Sequence, residues 1–339
     1  MSLRPLSFAP REWAGAFGDL GVSVPVLLAL SVSGSLDLGR GLLLFGAVYI
    51  GAGLYFRVPL PVQPLKAATA LVIARGLGEG ALRACSLWIA AILLALSITG
   101  LSRRLDRLFT RTIVRGIQFG LGLLLLQAAW KLFSFSPLAA GALRAPAVFG
   151  LPSAADLWTA LWVLVLPQLP LTLGNSVAAT CDVSRNYFGP DAERVDAGRV
   201  SFSIGLANLA SALCGGMPVC HGSGGVTAHH KLGARTAGAT IITGSVFVLL
   251  SLLLGSDGSA AVLRAVPGWL LAGLLAYTGL LHAKLVLDRQ ANIAVAAAMG
   301  LLGLATGNLS YALALGLAAE GARLAAAKIG AKPGLAPGA

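Results

Sequence analysis

Ten runs of apolar residues, each close to the length needed to cross a hydrocarbon layer, constrain this chain more than any other feature. They lie at about 13–32, 40–56, 84–101, 111–132, 157–180, 198–214, 236–254, 264–285, 290–306 and 308–326. A spanning helix needs roughly 17 to 25 mostly apolar residues. A soluble chain carries charge on about a quarter of its residues, whereas here 11% of 339 residues are charged. That excludes a water-soluble enzyme, and the apolar content excludes a disordered chain. The pattern predicts an all-α polytopic membrane protein.

The minor features agree. Cys85, Cys181, Cys214 and Cys220 lie in or beside apolar runs without metal-ligand spacing and are expected as small buried side chains. The net charge of +12 comes from basic residues at the ends of apolar runs. Membrane lipid with anionic headgroups is therefore the expected partner, and nucleic acid is not. The first run holds Asp19 and Pro25 and lacks a small-residue cleavage site, so it reads as a retained helix.

Two further segments, 62–76 and 219–231, are too short and polar to span alone. Each follows a Pro-rich or Gly-rich approach, Val58-Pro59-Leu60-Pro61-Val62-Gln63-Pro64 and Gly215-Gly216-Met217-Pro218-Val219-Cys220. Proline blocks a helix interior but suits its first turn, so each segment reads as extended backbone followed by a half-helix. The total is about 12 membrane segments. With cytoplasmic termini, 17 of the 25 Lys and Arg residues fall inside and six outside, leaving Arg57 and Lys66 within the membrane. That bias favours the orientation chosen. His229 and His230 are expected at the cytoplasmic side beside Lys231, in solvent.

The two short segments have matching neighbours. Gly18-Asp19 precedes Pro61-Val62 by 43 residues, Gly174-Asn175 precedes Pro218-Val219 by 44, and Gly116 precedes Gly273 by 157, the offset from Pro61 to Pro218. Five crossings separate the halves, so the second copy enters upside down. This is the pattern of an inverted-repeat transporter, with its site where discontinuous helices meet near the midplane. Residues 1–132 form the first repeat, 133–156 a connecting loop or short surface helix, 157–327 the second repeat and 328–339 a cytoplasmic tail.

Two half-helices starting at the midplane aim their positive ends and unpaired amides at one point, which suits an oxyanion. Gln63 offers an amide donor and Lys66 a cation whose placement costs at least ~3 kcal/mol on insertion scales. His221, Gly222 and Ser223 open the second half-helix, His221 as ligand contact or helix cap. Thr172, Asn175 and Ser176 lie in the helix that repeats the Asp19 region. Asp19 is a candidate coupling carboxylate or a partner holding Lys66. No Ser-His-Asp order, HExxH motif or phosphate loop is present, so the chain reads as neither an enzyme nor a cofactor or metal protein.

Four stretches carry a resemblance. They are Phe17-Gly18-Asp19-Leu20-Gly21 with Pro25, Pro59-Leu60-Pro61-Val62-Gln63-Pro64-Leu65-Lys66-Ala67, Gln168-Leu169-Pro170-Leu171-Thr172-Leu173-Gly174-Asn175-Ser176, and Pro218-Val219-Cys220-His221-Gly222-Ser223-Gly224-Gly225. The chain resembles the molybdate transporter family within the sulfate permease superfamily. The resemblance implies uptake of molybdate, with tungstate or sulfate as alternatives, and a core domain (12–101 and 157–254) moving against a gate domain (103–132 and 260–327). It departs from larger sulfate permeases, which carry seven helices per repeat and a C-terminal regulatory domain. The apolar faces of the gate helices suit lipid or a second copy, as in a homodimer. A secondary active transporter of the plasma membrane, driven by protons or the membrane potential, and a passive anion channel both remain open.

Overall fold

A computed structural model describes residues 5–101, 110–134, 151–265 and 267–330. Regular structure among them is helical apart from one two-stranded pairing. The first run becomes α1 (Pro10–Ala16) and α2 (Leu20–Val32), joined through a tight turn at Phe17–Asp19 and bent by 47°. Pro25 inside α2 has no amide to offer the carbonyl four residues earlier, which loosens the helix just after Asp19.

The remainder of the first repeat is α3 (Leu38–Phe56), β1 (Gln63–Pro64), α4 (Lys66–Arg75), α5 (Glu79–Ile98) and α6 (Arg111–Ser134). The second begins with α7, residues 154–188, whose α-helical segments are separated by wider π-helical stretches at Ala160–Val165 and Thr172–Ala179. Pro167 and Pro170 lie between these stretches. Each removes one ladder hydrogen bond, and the widened turns re-register the helix around them. Next come α8 (Ala197–Cys214), β2 (Val219–Cys220), α9 (Ser223–Lys231), α10 (Gly238–Ala265), α11 (Gly268–Lys284), α12 (Ile293–Thr306) and α13 (Leu309–Gly330). Among the described residues six helices are long and apolar enough to cross a membrane, or seven counting the bent α1–α2 pair as one.

Packing follows the repeat. The second helix of one half lies on the fourth of the other in both directions: α3 packs on α10, and α8 packs on α5. The fifth helices, α6 and α11, pack on each other. At their crossing a Cβ on Gly122 would come within 2.6 Å of the Gly279 carbonyl, and one on Gly279 within 2.8 Å of the Gly122 carbonyl. Only glycine permits that approach, and the two stand 157 residues apart. Gly116 and Gly273 share the offset but not the surroundings, since Gly116 faces Met299 and nothing lies within 4 Å of a Cβ on Gly273.

The helix caps repeat too, a signal that apolar-run counting does not register. Asp37 caps α3 by accepting from the Arg40 amide, and Asp196 caps α8 by accepting from the Arg199 amide. The sequences are Asp-Leu-Gly-Arg and Asp-Ala-Gly-Arg. Both helices end in left-handed residues, Arg57 and Gly215.

Boundaries differ from expectation where a charge is satisfied inside a helix. The helix expected from residue 84 begins at Glu79 and includes Arg83, 6% exposed, whose Nε donates to the Ala212 carbonyl. Helix α7 starts at Ala154, inside the expected loop, because Ser153 and Asp156 close a capping box. The rest of that loop, 135–150, and tail residues 331–339 lie outside the described residues. Two expectations are corrected. Cys214 is exposed, unlike the other three cysteines. His229 is buried, its Nδ1 bonded to the Gly15 carbonyl at 2.7 Å, because α9 packs under the first helix instead of reaching solvent. His230 is partly exposed and stacks on Tyr187.

Large apolar side chains cover the outside. Leu252, Leu253, Trp158 and Trp269 are all more than half exposed, a surface suited to lipid.

Candidate functional site

The two extended approaches cross as an antiparallel pair, Gln63 opposite Cys220 and Pro64 opposite Val219, and the Leu65 amide extends the ladder to the Pro218 carbonyl. Asn208 braces the crossing from α8. Its Nδ2 donates to the Val219 carbonyl and its Oδ1 accepts from the Val219 amide. From this crossing α4 and α9 depart, so the starts of both half-helices meet at one place.

Close approach there depends on glycine. A Cβ on Gly222, the residue before α9, would lie 2.0 Å from Gln63 Oε1. Gln63 itself is 1% exposed and faces away from open space, its Nε2 donating to Asp19 Oδ1. Asp19 is also buried and accepts from Tyr49 at 3.3 Å and Ser23 at 3.5 Å. No ion pair among the described residues joins Asp19 to Lys66.

In front of the crossing lies a cavity of about 400 Å³. Lys66, Asn175, Ser176 and Ser223 line it, together with Gln168, Cys220 and Gly224. Ser223 Oγ donates to Asn175 Oδ1 at 2.7 Å, tying α9 to the π-helical stretch of α7. The opposite wall comes from α6 and α11: Arg115, Gln118, Leu281 and His282. The lining runs from Gln168, which is buried, to Arg115 near the start of α6 and Leu285 just past the end of α11, so the cavity extends toward that end of the molecule.

The two half-helix starts differ. At α4 the backbone amides of Ala67 and Ala68 are taken by Gln168 Oε1, at 2.9 and 3.2 Å. At α9 the amides of Ser223 and Gly224 have no partner among the described residues, and the space beside Gly224 is open. Neither helix has an acidic residue in its first turn, and α4 carries Lys66 there, adding a full charge to the positive end of the dipole. No carboxylate is among the described residues lining the cavity, while Lys66 and Arg115 both are. Backbone amides, hydroxyls, amide groups and two cations make a set of donors whose chemistry suits an anion.

Of the residues expected from sequence, Lys66, Asn175, Ser176 and Ser223 are brought together on the cavity wall. Gln63, Thr172, His221 and Gly222 are not among its lining residues. Thr172 is buried and accepts from Gln168 Nε2 at 3.0 Å. His221 lies behind the crossing, between the Pro61 carbonyl at Nδ1 and Ser203 Oγ at Nε2, 2.8 and 3.0 Å away. Gln168, Arg115, Gln118 and His282 were missed. Arg115 and Gln118 are polar residues three apart on an apolar run, hence one helix face, and that spacing was the available signal.

A family model described as a molybdate transporter of the MFS superfamily matches residues 11–125 and 160–281. Molybdate transporters 1 and 2 of Arabidopsis thaliana are each 27% identical to this chain, over 79% and 81% of it respectively and 78% of each relative. Molybdate transporter 1 of Chlamydomonas reinhardtii is 44% identical over 36% of this chain and 24% of its own length. Among solved structures, the transmembrane domain of a cyanobacterial bicarbonate transporter, BicA, aligns with a TM-score of 0.61 at 16% identity, covering 91% of this chain and 98% of that one. SLC26A9 aligns with a TM-score of 0.60 at 14% identity, over 92% of this chain and 64% of that one. The shared fold is the one that the resemblance to the sulfate permease superfamily implied.

Proposed function

This chain belongs to the molybdate transporter family, and from that premise we propose that it is a secondary transporter importing molybdate. The observation that carries the reading is the cavity wall formed where α4 and α9 begin, with Lys66 and the first-turn amides of α9 on one side and no carboxylate among its described lining residues. A tetrahedral dianion suits that set, because each oxygen accepts from an amide, a hydroxyl or a cation without meeting a fixed negative charge.

In this reading Lys66, Asn175, Ser176, Ser223 and Gly224 hold the anion, with Gln168 and Thr172 fixing the start of α4. Gln63, Gly222 and His221 shape the crossing behind them. The core, α1 to α5 with α7 to α10, moves against the gate, α6 with α11 to α13, so that the cavity between them opens alternately to each side. With both termini cytoplasmic, as the distribution of Lys and Arg favours, the mouth faces the cytoplasm. Bringing a dianion in against an inside-negative plasma membrane potential costs roughly 2.3 kcal/mol per charge per 100 mV. Coupling to protons offsets that cost, and Asp19, buried behind Gln63, is the carrier in this scheme.

Calorimetric titration of purified protein with molybdate, with sulfate and tungstate as competitors, tests the substrate. Tight molybdate binding that survives excess sulfate is expected; a preference for sulfate would move the substrate to that anion. Uptake into liposomes with an imposed pH gradient tests coupling, and flux indifferent to pH would make the protein a passive anion channel.

A further inference from the structure

The two cations of the cavity stand on opposite walls, and only one of them is already engaged by an acid. Arg115 Nε donates to Asp288 Oδ2 at 2.9 Å, and its Nη1 donates to Gln118 Oε1 at 2.8 Å. Arg111, one helical turn earlier on α6, reaches the same carboxylate oxygen at 3.8 Å. Asp288 is held from behind. It follows the tight turn Leu285–Leu287 at the end of α11, and its Oδ1 accepts from the Gln290 amide at 3.0 Å. One carboxylate thus sits just outside the mouth and holds a guanidinium that lines it.

Resting on the reading of the cavity as an anion site, we propose that Arg115 is a second oxyanion ligand at the cavity mouth and that Asp288 is a built-in competitor for it. A guanidinium presents a planar fork of donors, and a tetrahedral oxyanion offers it a pair of oxygens much as a carboxylate does. Lys66 balances one charge of a dianion and Arg115 the second. When Asp288 reclaims Arg115, the dianion keeps only Lys66 and its hold weakens, which favours release through the mouth. The exchange is reversible because the Arg115 and Asp288 side chains are 24% and 17% exposed, and pairs in contact with water are worth only a few-fold in an equilibrium. Gln118 keeps the guanidinium aimed along the wall in either state.

The test is molybdate titration of four purified full-length proteins: wild type, Asp288→Asn, Arg115→Gln and the double variant. Asparagine keeps an oxygen for the Gln290 amide, so the turn is retained, and melting curves check the fold of each protein. Asp288→Asn is expected to tighten molybdate binding about fivefold. Arg115→Gln is expected to weaken it about tenfold, and in that background Asp288→Asn has no further effect. If Arg115→Gln does not fold, Arg115→Lys replaces it and gives an intermediate loss. Unchanged affinity in Asp288→Asn, or an equal effect in both backgrounds, overturns the competitor role while leaving the anion site intact. A wild-type protein that binds neither molybdate nor sulfate removes the anion site and this proposal with it.

Discussion

Gln168 Oε1 accepts the backbone amide of Ala67 at 2.9 Å, across 101 residues of sequence. With the Ala68 amide at 3.2 Å it places a neutral side-chain oxygen where the start of a half-helix would otherwise face the cavity. The positive end of α4 is therefore expressed through Lys66, whereas the positive end of α9 is expressed through its own amides. The two half-helix starts are alike in backbone and differ in chemistry.

Gln168→Glu separates the two roles of this position. A carboxylate oxygen accepts the same two amides, so melting behaviour is expected to stay near wild type. The added negative charge in the cavity is expected to abolish molybdate binding. Retained binding, read by calorimetry, would move the anion away from this wall.

Lys66→Gln removes the cation at the first residue of α4 while keeping a donor. Molybdate affinity is expected to fall about 10- to 100-fold, the size of a hydrogen bond to a charged group. An affinity within twofold of wild type would show that the anion does not reach this wall.

Gly222→Ala tests the crossing. Its Cβ meets Gln63 Oε1 at 2.0 Å, and such overpacking costs about 1–3 kcal/mol. A lowered melting temperature is expected, with partial recovery when Gln63→Ala is added. The same loss in both backgrounds would place the clash elsewhere.

Asp19→Asn keeps an oxygen to accept from Gln63, Tyr49 or Ser23 but cannot carry a proton. Molybdate binding is expected to persist while uptake loses its response to an imposed pH gradient. Accumulation that still follows the gradient would end the coupling role of Asp19.

Asp288 lies past the end of α11, where the Gln290 amide and then the Arg115 guanidinium hold its carboxyl below the ordinary aspartate range. A depressed folded-state pKa gives stability that is present above the unfolded value, about 3.9, and lost as pH falls through the lower folded value. Melting temperatures of wild type and Asp288→Asn are therefore expected to differ above about pH 5 and to converge in stronger acid. A gap that widens toward low pH would contradict the sign.

What the sequence determined by itself were features with local causes. Run length and the scarcity of charge set the helical membrane class. The proline- and glycine-rich approaches set two half-helices, because the crowded prolines at 59, 61 and 64, and Pro218 after two glycines, remove donors and favour extended backbone just ahead of each short helix. Lys66 stood out because an unpaired charge in an apolar setting needs a reason. The tertiary structure alone decided which polar groups face the cavity. Gln63 turns back to Asp19, His221 to Pro61 and Ser203, and Gln168 turns forward to cap α4, although all three lie in the same motifs. Arg115 lies near one end of the apolar run at 111–132, yet it lines the cavity because α6 crosses α11 at Gly122 and Gly279 and turns that face inward. Such orientations depend on contacts between different segments, 44 residues apart for Gln63 and Asp19 and 101 apart for Gln168 and Ala67. Hydropathy and spacing, which report burial along one segment, carry no record of what lies across from it.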